Sequence, residues 1–270
     1  MEGRIFVDTQ SANDMLNSDS AYIIDSTLLN NEDSRRKFIQ CRIRGAKYFN
    51  ITEIRDTTAS ISLAWPTAAQ FAEAMVKIEI PNNGKSVIVY DQTGIGTASR
   101  AWVMLKYFGY PNVFILDGGL PKWLSERRPT DTGEYLITHS LPVNPFHYIT
   151  SEHHEMRALI NTVEQVVNQL KNGDLSTTIW DARPPNTFQN GSVPGAINFS
   201  ASNFFNDDKT VKSQDEVRSL HSQNGLSNGV ITSCFKGNFA SLAYVLQKYA
   251  GNDNVRVYTG SYEEWKKLKG

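Results

Sequence analysis

Cys234 has the sequence surroundings that most favour chemistry, and it is one of only two cysteines in the chain. The apolar run from Gly229 predicts a buried strand before it, and the run from Ala240 predicts a helix after it. The loop Cys234–Phe239 would place the thiol at the unpaired N–H groups of that helix, where the helix dipole favours an anion. These donors would stabilise a thiolate and make Cys234 a nucleophile near neutral pH. The alternative at this point is a free cysteine that packs as a small core hydrophobe.

Two further loop residues fit an anionic site. Gly237 allows the tight turn that lets several N–H groups point inward, and Lys236 adds a cation near an anionic substrate. A phosphatase loop of the cysteine type needs an arginine six positions after its cysteine, where this chain has Ala240. A zinc site takes about four ligands, and the sequence has no close pair of cysteines. We therefore expect neither phosphatase chemistry nor a metal, and we predict no cofactor.

The elements around Cys234 occur twice in the sequence. Residues 86–123 and 229–265 each run from an apolar strand through a glycine-containing loop, a helix and a second strand to a glycine turn and a tryptophan. Asp91 in the first copy stands where Cys234 stands in the second. The two tryptophans, Trp123 and Trp265, are expected to be core anchors.

Upstream segments extend the repeat. Both halves place an aspartate at a predicted strand end and follow it with a Gly-Ala marker. The alternation of strands and helices predicts an α/β fold with parallel sheets covered on both sides. We predict an N-terminal domain without a nucleophile over residues 1–132, a linker over 133–151, and a C-terminal domain with Cys234 over 152–270.

Composition excludes several classes of function. The chain has 270 residues, 40% of them hydrophobic and 20% charged, which supplies a core. Its formal net charge of -1 gives no basic excess for nucleic acid. The sequence contains no apolar run near the roughly 18 residues of a membrane span, and its N-terminus has no signal or transit pattern. Two cysteines far apart fit a reducing compartment.

Several motifs together resemble the tandem-domain rhodaneses, the thiosulfate and 3-mercaptopyruvate sulfurtransferases. They are VIVYD, LDGGLPKW, DARPPNTF, PGAINF and SCFKGNFA, and they occur in order over nearly the whole chain. The resemblance implies two rhodanese-like domains, each a parallel sheet of about five strands with helices on both faces. It also implies that the Cys234 thiolate takes a sulfane sulfur from a small donor and passes the persulfide sulfur to cyanide or a thiol. The location implied is mitochondrial or cytoplasmic.

The resemblance also assigns the other site residues. The loop residues expected to contact substrate are Phe235, Lys236, Gly237, Asn238 and Phe239. Asp181 and Arg183 of the DAR motif are expected to support the loop.

The site departs from the family pattern at four positions. Thr187 stands where the family has a substrate-binding arginine. Threonine has no guanidinium group and cannot bind an anion through two parallel N–H donors. Arg42 replaces a histidine of the first domain, and we expect it to restore part of the positive charge lost at Thr187. Phe235 and Phe239 would narrow the approach to Cys234, which would exclude small anions or select a larger, protein-bound donor.

Two functions from different classes follow. The first is a sulfurtransferase that uses a Cys234 persulfide with thiosulfate or 3-mercaptopyruvate as donor. The second is a weakly active or inactive rhodanese-fold scaffold, a structural subunit of a larger, mitochondrial assembly with protein partners. A third interpretation is a relay module that receives a persulfide from a partner protein.

Overall fold

The computed structural model describes residues 3–29, 31–94, 96–134, 148 and 151–270. The chain forms two compact units. Unit 1 comprises Met1–Thr58, Trp65–His153 and Asp207–Thr210, and unit 2 comprises Ala59–Ala64, His154–Asn206 and Val211–Gly270. Each unit therefore contains a short segment from the other half of the chain. The predicted linker, residues 133–151, lies mostly outside the described residues, and the predicted domain boundaries stay predictions.

Unit 1 is built on a parallel sheet of five strands and a separate antiparallel pair. The strands are β1 (Phe6–Val7), β2 (Ala21–Asp25), β3 (Arg42–Ile43), β4 (Lys47–Tyr48), β5 (Ser86–Tyr90), β6 (Val113–Leu116) and β7 (Thr130–Asp131). The parallel sheet has the order β1-β6-β5-β2-β4, and the antiparallel pair joins β3 to β7. The helices are α1 (Thr9–Asn17), α2 (Asn31–Gln40), α3 (Ala68–Lys77), α4 (Ala98–Tyr107) and α5 (Gly119–Ser125).

Unit 2 repeats this plan with a parallel sheet of four strands. The strands are β8 (Thr177–Asp181), β9 (Ile197–Asn198), β10 (Gly229–Ser233) and β11 (Val255–Val257), and their order in the sheet is β11-β10-β8-β9. An isolated parallel bridge from Arg157 to Val257 extends that sheet beyond β11. The α-helices are α6 (Ile160–Lys171), α7 (Pro185–Phe188), α8 (Gln214–Gln223), α9 (Asn238–Ala250) and α10 (Ser261–Lys269), and 3-10 helices span His154–Met156 and Ala201–Phe204.

Local sequence explains these elements. The central strands β5 and β10 are buried along almost their whole length, as parallel strands covered on both faces must be. Capping boxes begin α3, through Thr67 and Gln70, and α8, through Ser213 and Glu216. The predicted α/β fold with parallel sheets flanked by helices is confirmed.

Each unit has its own hydrophobic core. Trp123 is 1% exposed in the core of unit 1, and Trp265 is 8% exposed in the core of unit 2. The prediction that both tryptophans are core anchors is confirmed. The glycine turn before each tryptophan begins α5 or α10 at the carboxyl end of the sheet, beside the loop that follows the central strand.

Candidate active site

Cys234 follows the last residue of β10 and lies three residues before Gly237, which precedes the first residue of α9. Gly237 has a φ of 92° and occupies the N-cap position of α9, a left-handed conformation that favours glycine. Its N–H donates to Cys234 Sγ over 3.0 Å. The side chain of Cys234 is only 2% exposed. The sulfur therefore sits in a buried turn at the positive end of a 13-residue helix.

The loop is shorter than the sequence predicts. We expected Cys234–Phe239, but α9 begins at Asn238, so Asn238 and Phe239 belong to its first turn. The left-handed conformation of Gly237 turns the chain into the helix two residues early. We call Cys234–Gly237 the Cys234 loop from here on. The Asn238 side-chain oxygen is buried and has no hydrogen-bond partner among the described residues.

Ser261 is a second polar group at the sulfur. Its hydroxyl accepts a hydrogen bond from Cys234 N–H over 3.1 Å, donates to Tyr258 O over 2.9 Å, and lies 3.8 Å from Cys234 Sγ. Ser261 is fully buried and has a φ of 52°, a strained conformation for a residue with a side chain. Its position therefore depends on the surrounding packing, and its hydroxyl fixes the backbone of Cys234.

The N-terminus of α10 binds the carbonyls of the Cys234 loop. Tyr262 N–H donates to Cys234 O and Glu263 N–H donates to Phe235 O, each over 3.0 Å. The Glu263 carboxylate in turn accepts from the backbone and hydroxyl of Ser62, over 3.1 and 2.9 Å. The loop is therefore held from both sides, by α9 and by the first turn of α10.

Sequence reasoning missed Ser261, although a signal for it exists. In the aligned glycine turns, TGS of unit 2 stands against DGG of unit 1, so Ser261 aligns with Gly119. Gly119 has a φ of 53°, almost the same as that of Ser261. A side chain at a repeat position that otherwise holds glycine indicates a constraint beyond backbone geometry.

The aromatic residues of the site are exposed while the sulfur is not. Phe235 is 42% exposed and Phe239 is 38% exposed. The Phe235 ring lies 6.3 Å from the Tyr262 ring between centroids, and Lys236 Nζ lies 6.0 Å from the Phe235 centroid. A cation and an apolar surface therefore lie next to each other beside Cys234.

Asp181 and Arg183 form a buried ion pair at the end of β8. Arg183 donates to both carboxylate oxygens of Asp181, the shortest distance being 2.6 Å from Nη2. The remaining guanidinium contacts are Nη2 to Gly191 O, 2.7 Å, and Nη1 to Thr187 O, 3.3 Å. The backbone of β8 and that of the strand before Cys234 are joined by Ala182 N–H, which donates to Ser233 O. This geometry supports the predicted bracing role, which stays a prediction.

Thr187 and Arg42 belong to different units, and each has its own hydrogen bonds there. Thr187 is an exposed residue of α7 whose hydroxyl donates to Pro184 O over 2.8 Å. Arg42 belongs to unit 1, where Nη1 donates to Gly133 O over 2.7 Å and the guanidinium lies 4.8 Å from the Phe38 ring centroid. The substrate-binding roles predicted for both residues stay predictions.

The equivalent loop of unit 1 holds an aspartate in place of the cysteine. Asp91 is 1% exposed, and its carboxylate accepts from the hydroxyl of Thr93 over 2.7 Å. It also accepts four backbone N–H groups, those of Thr93, Gly94, Gly96 and Ala98, over 2.7 to 3.1 Å. Gly94 has the same φ of 92° as Gly237. We call residues 91–97, apart from the undescribed residue 95, the Asp91 loop.

Burial shifts the pKa values of His221 in unit 2 and of Asp25 in unit 1. Burial lowers the pKa of His221 to about 4, and both its ring nitrogens lack a hydrogen-bond partner among the described residues. The ring packs edge-on against Trp180, 5.4 Å away between centroids. In unit 1, burial raises the pKa of Asp25, and the nearby Asp91 carboxylate acts in the same direction.

Within the described residues, no three His, Cys, Asp or Glu side chains are placed to hold a metal ion. The helices among those residues include none that is long and apolar enough to cross a membrane.

Comparison with known proteins agrees with this architecture. The sequence pattern of the rhodanese-like domain matches residues 8–126 and again residues 162–268. The chain is 30% identical to thiosulfate sulfurtransferase of Gallus gallus over 246 residues, which covers 86% of this chain and 81% of the relative. It is 28% identical to 3-mercaptopyruvate sulfurtransferase of Homo sapiens over 240 residues, covering 86% and 80%.

Solved structures show the same fold. The Tum1 protein of Saccharomyces cerevisiae superposes with a TM-score of 0.84 at 20% identity, covering 100% of this chain and 97% of the other. A yeast mitochondrial complex I sub-stoichiometric sulfur transferase subunit superposes with a TM-score of 0.80 at 23% identity, covering 97% and 95%. With two matched domains and sulfurtransferase relatives over most of its length, this chain belongs to the family of proteins with tandem rhodanese-like domains.

Proposed function

We propose that this protein is a sulfurtransferase in which Cys234 carries the sulfur as a persulfide. The observation that carries the proposal is the Gly237 N–H bound to Cys234 Sγ at the N-terminus of α9. Donors of this kind stabilise a thiolate, the form of cysteine that attacks sulfur. The curated relatives, thiosulfate and 3-mercaptopyruvate sulfurtransferases, support the same class of reaction.

The reaction is a transfer of one sulfur atom. The Cys234 thiolate attacks the sulfane sulfur of thiosulfate, a new S–S bond forms, and the old S–S bond breaks with its electron pair on the leaving sulfite. With 3-mercaptopyruvate the C–S bond breaks instead, and the carbon fragment leaves as pyruvate after it takes up a proton. An acceptor thiolate or cyanide then takes the outer sulfur and restores the Cys234 thiolate.

The loop has donors left for the outer sulfur. The first N–H groups of a helix have no partner inside the helix, and α9 begins only four residues after Cys234. Gly237 N–H already binds Sγ, so the following N–H groups of the first turn are suited to receive the terminal sulfur of a persulfide anion. Ser261 fixes the Cys234 backbone in this arrangement through its 3.1 Å hydrogen bond.

Intact-mass spectrometry tests this proposal. We expect the protein to gain about 32 Da, one sulfur atom, on incubation with thiosulfate or 3-mercaptopyruvate, and to lose it to cyanide with release of thiocyanate. The Cys234→Ser variant should gain nothing. Cys41→Ser is the matched control, because Cys41 is the other free cysteine, and it should behave as the wild type. No gain of mass with either donor would reject the proposal.

The second candidate is a scaffold subunit of a larger assembly. Thr187 offers no cation to a substrate, the Arg183 guanidinium is engaged by protein oxygens, and the fold resembles that of the sub-stoichiometric sulfur transferase subunit of yeast mitochondrial complex I. A mitochondrial or cytoplasmic location and protein partners belong to this proposal. Stoichiometric co-purification of the tagged protein with a complex from fractionated cells, together with no persulfide on Cys234, would favour the scaffold over the enzyme.

A further inference from the structure

We propose that Phe235 and Phe239 make the site selective for sulfur donors with one negative charge and an apolar body, such as aryl thiosulfonates, over dianionic thiosulfate. This inference rests on the sulfurtransferase function proposed above. It concerns the choice of donor, which the similarity to other sulfurtransferases leaves open.

The charged residues of unit 2 near the Cys234 loop favour a sulfur donor with a single negative charge. Lys236 is the only cationic residue among 234–239. The nearby Arg183 guanidinium donates to the Asp181 carboxylate and to the carbonyls of Thr187 and Gly191, and it is only 5% exposed. A buried guanidinium engaged in this way is not available to bind a second anionic group. A dianion would therefore find one side-chain cation on the loop, which is too little to replace the hydration of two charges.

The apolar contacts favour a ring or another apolar group on the donor. Phe235 and Phe239 leave 42% and 38% of their surface exposed, although Cys234, which directly precedes Phe235 in sequence, is 2% exposed. An exposed ring on the residue after the buried cysteine, and a second exposed ring in the first turn of α9, provide contact area for an apolar group attached to the transferred sulfur.

The Phe235 ring is backed by a fixed partner. Tyr262 lies 6.3 Å from it between ring centroids, and the Arg183 guanidinium lies 5.6 Å from the Tyr262 centroid. A Cβ atom at Gly191 would lie 2.2 Å from the Tyr262 hydroxyl oxygen, so the absence of a side chain there makes room for the tyrosine. The Phe235 ring therefore lies beside a tyrosine that packs next to the Asp181–Arg183 ion pair at the end of β8.

The chemistry with such a donor balances without a further reactant. The Cys234 thiolate attacks the terminal sulfur of R–SO2–S⁻, an S–S bond forms, and the S–SO2R bond breaks with its electron pair on the leaving sulfinate R–SO2⁻. The cysteine is left as the persulfide anion Cys–S–S⁻. No proton is exchanged, and two negative charges are present before and after the step.

Three donors separate the effect of charge from that of the apolar body. Thiosulfate and methanethiosulfonate have similar size but differ by one charge, whereas methanethiosulfonate and benzenethiosulfonate share one charge but differ by the ring. Persulfide formation on the full-length protein would be followed by intact mass over time. The rate with each donor would be divided by its rate with a free small thiolate, which corrects for intrinsic reactivity.

The expected order of corrected rates is benzenethiosulfonate, methanethiosulfonate, thiosulfate, with about tenfold between the first two. Phe235→Ala and Phe239→Ala should each reduce the ratio of the benzenethiosulfonate rate to the methanethiosulfonate rate severalfold. Phe235→Arg should raise the rate with thiosulfate about tenfold, because it adds a guanidinium beside Lys236. Leu175→Ala, at an apolar residue that is 70% exposed and outside the loop, is the control and should change none of these ratios.

The outcomes distinguish this inference from the proposed function. Sulfur uptake by Cys234 with no advantage of the aryl donor, or with an advantage that survives both alanine variants, would overturn the inference alone. Absence of sulfur uptake from all three donors would overturn the proposed function and the inference with it.

Discussion

The Asp91 loop and the Cys234 loop are two versions of one turn. Both follow a buried central strand, and both hold a glycine with a φ of 92° three residues after the key side chain. In unit 1 the turn encloses a carboxylate that accepts five hydrogen bonds, four of them from backbone N–H groups. In unit 2 the sulfur accepts one backbone N–H, that of Gly237 at 3.0 Å, and the Ser261 hydroxyl lies 3.8 Å from it. The carboxylate of the first loop is thus bound by four backbone donors, whereas the sulfur of the second is bound by one.

The glycine turns beside the two loops also differ, at the position that holds Gly119 in unit 1 and Ser261 in unit 2. A Cβ on Gly119 would lie 2.7 Å from Asp91 O, so a side chain has no room there. At the aligned position Ser261 carries a hydroxyl that binds Cys234 N–H. In both units the next residue, Leu120 or Tyr262, donates its N–H to the carbonyl of the key residue. The same scaffold contact therefore supports a turn around a carboxylate in one copy and a turn around a buried thiol in the other.

Among changes to the two loops, removal of the Asp91 carboxylate should cause the largest loss of stability. Asp91→Ala leaves several buried N–H donors without an acceptor, and we expect the free energy of unfolding to fall by about 4 kcal/mol. Cys234→Ala removes one weak acceptor and should cost about 1 kcal/mol. Denaturant titration of both variants measures the difference. Equal losses would mean that the carboxylate is not the structural centre of its loop.

Two buried titratable groups, one in each unit, should respond to acid in opposite directions. The pKa of His221 falls from 6.5 in the unfolded chain to about 4 in the fold, so the unfolded state binds the proton first. Stability from this group is therefore complete above pH 6.5 and declines as the pH falls toward 4, by about 3 kcal/mol. The raised pKa of Asp25 acts oppositely, since protonation in acid favours the folded unit 1.

Denaturation of the wild type and of His221→Phe at several pH values tests this expectation. The difference in unfolding free energy between the two proteins should change progressively between pH 6.5 and 4 in favour of the variant. A difference that stays constant over that range would show that His221 does not titrate as its buried, unpartnered ring predicts.

The glycine turns provide the smallest and most selective test. Gly119→Ala should destabilise the protein by about 2 kcal/mol, because alanine is strained at a φ of 53° and its Cβ would lie too close to Asp91 O. Ser261→Ala should cost about 1 kcal/mol in stability but should slow persulfide formation severalfold, because Cys234 N–H loses its acceptor. Ser261→Thr keeps the hydroxyl and should restore part of that rate. A Ser261→Ala rate equal to that of the wild type would remove this residue from the site.

Much of the fold was predictable because the sequence repeats its own markers. The aligned strands, glycine turns and tryptophans predicted two α/β units with parallel sheets, and both are present. The position of Cys234 between β10 and α9 was also predictable, because the apolar run and the helical period meet there. The start of α9 was not, since a left-handed Gly237 is permitted by the sequence but not required by it.

Contacts between residues distant in sequence account for what was missed. Ser261 reaches Cys234 across 27 positions, and Arg42 finds its carbonyl acceptor at Gly133, 91 positions away. Neither pairing leaves a local pattern. The five hydrogen bonds of Asp91 were also unforeseen, although its alignment with Cys234 identified the loop.

The central claim is that the Cys234 loop accepts sulfur, and peptide-level mapping of the sulfur tests it most directly. The protein would be loaded with thiosulfate or benzenethiosulfonate, alkylated, digested and examined by mass spectrometry. Our account predicts one added sulfur per chain on the peptide that contains Cys234, and none on the peptide that contains Cys41. Sulfur on Cys41 alone, or on neither cysteine with any donor, would contradict it.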